Sequence, residues 1–184
     1  LLGDHGHWKR SRGTLVGSSS SEVHVFEKKL RGHRTIRKVV CKIHASSERV
    51  TADLWNLMTN ERIKEHFEVN GEGALRESWS IPKSHTQVSV NMKKTPAMFE
   101  TRYFSTYFIW ESTSTAKRQA ENGAGGEEYV IVFGPAEEYD LERRSNELPV
   151  LPIDAVMGTT RGVYSIKFLA PNVCELTIVQ DVSL

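Results

Sequence analysis

Two histidine and carboxylate pairs stand close enough in sequence to do acid–base chemistry: His44 with Glu48, and His85 with Glu77. A general base must lie within hydrogen-bond reach of the proton it moves, and neither spacing fixes that geometry. A solvent-exposed or structural imidazole is the other reading of both. His5 and His7 would point the same way along an extended segment, yet two histidines alone do not complete a set of metal ligands. Cys41 and Cys174 each sit among strand-forming apolar residues, with no second Cys or His at metal spacing, and read as buried free thiols, with a disulfide or a reactive site as the alternative. There is no Gly-x-Ser-x-Gly, no Gly-rich loop followed by Lys and Ser or Thr, and no His-Glu-x-x-His. The "NGAGG" string at Asn122 to Gly126 has the glycines of a phosphate loop, but it lies in a polar hairpin connection with no helix after it. These residues point away from an enzyme, with no catalytic group, metal or cofactor assigned.

The remaining chemistry is apolar. Phe104, Phe108 and Trp110 alternate along one strand-length run, so their rings share a face that can line a pocket for acyl chains or simply fill a core. Trp79, Tyr164 and Phe168 are further candidates for such a lining, whereas Tyr103 and Tyr107 fall on the opposite face of their strand. Arg102 could neutralise a lipid phosphate at the mouth of a cavity; its structural alternative is an ion pair with Glu100 or Asp181.

The chain's 184 residues suit one domain with room for an internal cavity. Acids and bases nearly cancel, at a formal +1, so no overall charge draws the chain to nucleic acid. A local basic patch, Lys28, Lys29, Arg31, Arg34, Arg37 and Lys38, reads as a solvated strand pair, with transient contact to an anionic membrane surface as the functional alternative. No apolar run approaches the roughly 18 residues that a membrane-spanning helix needs. With no secretory signal, no initiating Met and two free thiols, the expectation is a cytoplasmic chain that is an excised domain or an incomplete stretch of a longer protein.

Periodicity then supplies the elements. Residues 1–21 show no sustained apolar period and are expected to be a loose lead-in to a domain over 22–184. Val23 and Val25, then Ile36, Val39, Val40, Cys41 and Ile43, predict a hairpin. Val50, Leu54, Leu57 and Met58 fall at helical spacing and predict a helix over 47–58, capped by Ser46 or Ser47. Thr59 or Asn60 caps a second helix carrying Ile63 and Phe67, which Asn70 and Gly71 end. From Gly73 the period is two: strands are expected around Leu75 to Trp79, Val88 to Met92, Phe99 to Trp110, Tyr129 to Phe133, Thr159 to Leu169 and Cys174 to Gln180. Strands in succession without intervening helices form an antiparallel sheet in an α+β domain. In the last two, Tyr164, Ile166 and Phe168, and Cys174, Leu176 and Ile178, share an apolar face. Two short helices are little cover for it, so the sheet must curl, receive another helix from beyond Leu184, or bind something apolar.

Three strings resemble the START family of lipid-binding domains in order and spacing, over roughly residues 23 to 184. "KVVCKIHASSERVTADLWNLMTNERIKEHF", from Lys38, is similar to the family's strand, helix and following segment; Arg62 matches its Arg, while Phe67 and Glu68 replace its Trp-Asp. "TPAMFETRYFSTYFIW" is similar to its long strand opened by Arg-Asp-Phe, here Arg102, Tyr103 and Phe104. "TTRGVYSIKFLAPNVCELTIVQD" is similar to its late hairpin, with Arg161, Gly162 and Asp181 in place. The resemblance implies a helix-grip fold, in which a curved antiparallel sheet wraps a long C-terminal helix, and non-enzymatic binding or transfer of a lipid or other apolar molecule. That helix has no counterpart before Leu184. Thr106, Phe108 and Trp110 stand where sterol-binding members place a buried Arg, which implies a cavity read by shape and apolar contact rather than by a charged pair. The alternative is a START-like module without ligand that holds a protein partner, as part of a larger protein or complex.

Overall fold

The computed structural model describes residues 8–10, 23–30, 34–71, 74–81, 84–93, 101–113, 127–136 and 156–183. Their elements run β1 (Lys9–Arg10), β2 (Val23–Lys29), β3 (Thr35–Ile43), α1 (Ser47–Trp55), α2 (Asn60–Asn70), β4 (Leu75–Ile81), β5 (Thr86–Lys93), β6 (Arg102–Ser112), β7 (Tyr129–Pro135), β8 (Val156–Met157), β9 (Thr159–Ala170) and β10 (Val173–Ser183). The strands form one sheet in the order β1, β2, β3, β10, β9, β7, β6, β5, β4, with β8 beside β6. Antiparallel ladders join β1 to β2, β2 to β3, β3 to β10, β4 to β5 and β5 to β6; the short β8 runs parallel to β6. This is the α+β antiparallel architecture that the alternating period predicts.

The chain forms two compact units. The first holds the described residues within Leu1–Ala52, Glu111–Ile131 and Gly162–Val182. Ile131, Ile166 and Cys174 are fully enclosed in it, with Leu176, Val50 and Tyr129 also buried. The register pairs Cys41 with Leu176 and Ile43 with Cys174, which puts both thiols on one face. Both cysteines are free. Burial raises the Cys41 thiol, helped by Glu175; burial likewise raises Cys174, helped by Cys41 and Glu48, so neither is a ready thiolate. Of the basic patch, Arg37 pairs with Glu27 at 3.1 Å and Arg34 with Asp181, so at least these two have acids as partners. Asp181 is thus engaged by Arg34 instead of the Arg102 considered from sequence.

Two adjacent serines open α1 with hydrogen bonds of different purpose. Ser46 Oγ caps the helix by accepting from the Arg49 amide at 3.3 Å, while the enclosed Ser47 hydroxyl donates to the Glu127 carbonyl at 2.6 Å. The helix ends at Trp55, short of the expected Met58: the Leu57 amide turns back to the Trp55 carbonyl at 2.9 Å, which breaks the i to i−4 pattern.

Beside that contact, the buried Tyr129 hydroxyl donates to the Glu127 carboxylate. Burial first, then the bond to and charge of Glu127, push the phenol well above its ordinary value. A pKa raised by folding contributes stability that is complete below the unfolded value, about 10, and is lost as pH climbs through the folded one. Tyr129 is expected to titrate late by ultraviolet difference absorbance, and Tyr129→Phe should remove that late step. A late step that survives the substitution would assign it elsewhere.

The second unit holds the described residues within Asp53–Trp110, Val132–Arg161 and Ser183–Leu184. Its α2 starts at Thr59, whose Oγ1 accepts from the Arg62 amide at 3.2 Å, and stops at Gly71, with φ +75° and its amide on the Phe67 carbonyl at 2.8 Å. The face of α2 turned inward is not the one that Phe67 marks. Phe67 is 44% exposed, whereas His66 is 6% exposed, its Nε2 bonded to the Met92 carbonyl at 3.1 Å and its carbonyl to Asn70 Nδ2 at 2.8 Å. Arg62, His66 and Asn70 recur every four residues, so the inward stripe of this helix is polar.

Candidate ligand-binding face

Alternation along β6 places Arg102, Phe104, Thr106, Phe108 and Trp110 on one face. The ladder carries that face sideways. Lys93 stands opposite Arg102, Asn91 opposite Phe104, Ser89 opposite Thr106 and Gln87 opposite Phe108 on β5. On β4, Arg76 stands opposite Asn91, Ser78 opposite Ser89 and Ser80 opposite Gln87. The other face takes Leu75, Trp79, Ile81, Val88, Val90, Met92, Tyr103, Tyr107 and Ile109. Trp79 therefore lies on the opposite side of the sheet from Phe104, Phe108 and Trp110, beside Val88 and in the same row as Tyr107.

The aromatic face has its own ring contacts. Phe108 stacks on Phe133 of β7, with centroids 5.6 Å apart. Trp110 meets the His85 ring at 4.3 Å in a stacked pair, and Trp55 at 6.5 Å edge-on. That stack shows where the His85 imidazole goes: onto Trp110, while Glu77 sits exposed on the other side of β4. Phe104 is buried, and Gly158, just past β8, comes so close to its ring that a Cβ there would lie 2.5 Å from Cε1. Tyr164 and Phe168 are half-buried on β9 within the first unit, together with the enclosed Ile166 on the same face.

Among these rings lie polar groups that sequence reasoning passed over. Gln87 Nε2 donates to Ser78 Oγ at 3.0 Å, Asn91 Nδ2 to Ser89 Oγ at 3.0 Å, and Ser89 Oγ to the Glu77 carbonyl at 3.2 Å. Arg76 is half-buried, and its Nε has no hydrogen-bond partner among the described residues. No described carboxylate pairs with Arg102. Lys93 Nζ lies 5.6 Å from the centroid of the Phe104 ring. A charged residue next to aromatics is what the reading of β6 alone left out, because it stands on β4. Leu75 and Trp79 mark β4 as apolar on one side; only the register shows that Arg76 shares the other side with Phe104.

Among the described residues there is no group of three His, Cys, Asp or Glu side chains that could hold a metal, and no helix is long and apolar enough to cross a membrane. No family model matches the sequence, and neither does any curated protein sequence. Solved structures do match. The chain is similar to human StAR-related lipid transfer protein 5, with TM-score 0.60 and 14% identity over 98% of this chain and 74% of that one. It is similar to a STAR-related lipid transfer protein from Xanthomonas axonopodis, with TM-score 0.59 and 13% identity over 96% and 82%. It is also similar to the lipid transfer and protein localization domain of human StarD13, with TM-score 0.58 and 14% identity over 97% and 76%. With this strand order, two helices between β3 and β4, and these likenesses across nearly the whole chain, the protein has the START-like, helix-grip fold.

Proposed function

We propose that residues 22–184 form a non-enzymatic domain that binds or transfers a lipid or other apolar ligand. The observation that carries this is the fold, shared with three solved structures each named for lipid transfer. The buried Phe104 and the stacked Phe108 and Phe133 supply apolar surface suited to acyl chains. Arg102 and Trp110 are further lining residues in this reading, and within the first unit Tyr164 and Phe168 are lining candidates of their own. The domain would act in the cytoplasm, with transient contact to a membrane surface when ligand is taken up or released.

Native mass spectrometry of the purified chain, followed by solvent extraction, tests this directly. A stoichiometric apolar molecule is the expected result, and its class would be read from the extract. Offered a series of fatty acids, a delipidated sample should bind each added methylene about fourfold more tightly, from about 0.8 kcal/mol per buried CH₂. A folded protein that carries no lipid and shows no dependence on chain length would overturn the carrier reading and favour a protein-interaction module.

A further inference from the structure

Cations crowd one patch of the second unit. Lys93 stands directly opposite Arg102 in the β5–β6 ladder, an arrangement of like charges that destabilises an antiparallel pair. Arg76 joins them from β4, on the same face and one row along. Two strand spacings of about 5 Å each separate β4 from β6, a span that Arg and Lys side chains can close. Lys93 already reaches toward the row of Arg76, since its ammonium lies 5.6 Å from the ring centroid of Phe104, whose neighbour Asn91 is Arg76's partner. From α2, Arg62 acts on Arg76 as a like charge, and His66 feels both Arg76 and Lys93. Against these cations stand Glu65, an opposite charge that acts on Arg76, and Asp53, which Arg62 holds at 2.9 Å.

Two further features make this more than a solvated charge run. The Arg76 Nε is buried with no partner among the described residues, and a buried guanidinium donor left unbonded is costly. His66, 6% exposed, spends its Nε2 on the Met92 carbonyl, one residue from Lys93, so the edge of the patch is fixed by a hydrogen bond. We infer that Arg76, Lys93 and Arg102 form a binding site for an anionic, phosphate-type group, which, on the carrier reading above, is the head of a lipid whose chain lies along the Phe104 and Phe108 rings. An anion there would offset the repulsion between Lys93 and Arg102 and complete the hydrogen bonding of Arg76 by a charge-assisted contact. It would also act on His66. Burial first, then Arg76, hold this imidazole below its ordinary value, and a bound anion opposes the second of these causes.

Calorimetric titration of the whole chain with octyl phosphate, octan-1-ol and inorganic phosphate, each below its aggregation concentration, tests the assignment. Octyl phosphate should bind more tightly than either of the others. The ratio of its affinity to that of octanol should fall on the order of tenfold in Arg76→Gln and in Lys93→Gln. Arg76→Lys, which keeps a point charge and loses the fork of donors, should keep part of that ratio. Thermal unfolding of each variant shows that it is folded, and the His66 imidazole resonances should move on addition of octyl phosphate to the wild type. If inorganic phosphate binds as tightly as octyl phosphate and is equally sensitive to the substitutions, the anion site stands and its assignment to a lipid head is overturned. If octanol binds as well as octyl phosphate in every variant, the anion site is overturned and the apolar carrier stands. Binding of none of the three overturns both.

Discussion

Ile166→Ala should destabilise the protein by about 2–5 kcal/mol, as truncation of an enclosed branched side chain does when its surroundings cannot collapse. Ile166 has no exposed surface, and it sits mid-strand in the twelve residues of β9, between the exposed Lys167 and the half-buried Ser165. Its removal leaves a void on the face shared with Tyr164 and Phe168. Leu169, on the opposite face of the same strand, is 47% exposed, so Leu169→Ala should stay within about 0.5 kcal/mol of the wild type. Urea unfolding of the two variants measures the difference. Equal losses at the two positions would mean that the faces of β9 are not divided between core and solvent as described.

That division was readable in the sequence, because β9 and β10 alternate cleanly and a period of two assigns each side chain to a face without knowledge of its neighbours. The same holds for the helix starts at Ser46 and Thr59, where a short polar side chain precedes the helix and accepts its early amide. What alternation cannot supply is how one strand stands against the next. Trp79 and Phe104 each lie on an aromatic strand, and both suit a ligand lining when taken singly. The β4–β5–β6 register sends them to opposite sides and brings Arg76 to Phe104 in place of Trp79.

Other elements were hidden for different reasons. Strand β8 has two residues, too few for any period; the Val156 amide bonds to the Thr101 carbonyl at 2.9 Å and the Gly158 amide to the Tyr103 carbonyl at 2.8 Å. Strand β1, in the segment expected to be a loose lead-in, is equally short and exists through its pairing with Glu27 and Phe26. On α2, the apolar Ile63 and Phe67 suggested an inward stripe, but a backbone carbonyl at Met92 gives His66 a partner that a phenyl ring could not use. The polar stripe is therefore set by a neighbour on another element. The expected disposition of His5, His7 and Glu100, and of the glycines at Asn122 to Gly126, lies outside the described residues.

The close approach of β8 to β6 yields the second large effect. Gly158→Ala should cost about 1–3 kcal/mol, because the new methyl would lie 2.5 Å from Phe104 Cε1 and 2.7 Å from Cζ. The backbone has little room to retreat, since its amide is held by the Tyr103 carbonyl at 2.8 Å, and the ring, 8% exposed, is itself enclosed. Gly134 offers a milder case: a methyl there meets the half-buried Tyr107 ring at 3.0 Å. Shortening the obstacle should relieve the clash, so Phe104→Leu combined with Gly158→Ala should be less destabilised than the sum of the single changes, by about 0.5–3 kcal/mol. Additivity within about 0.5 kcal/mol would reject the steric account. The cycle also bears on function. Of the two rings proposed for the ligand chain, Phe104 is the one nearer along β6 to the cations proposed for its head, so a ring displaced by Gly158→Ala should weaken octyl phosphate more than inorganic phosphate. A loss equal for both ligands would separate Phe104 from the apolar part of the site and leave it as a core residue alone.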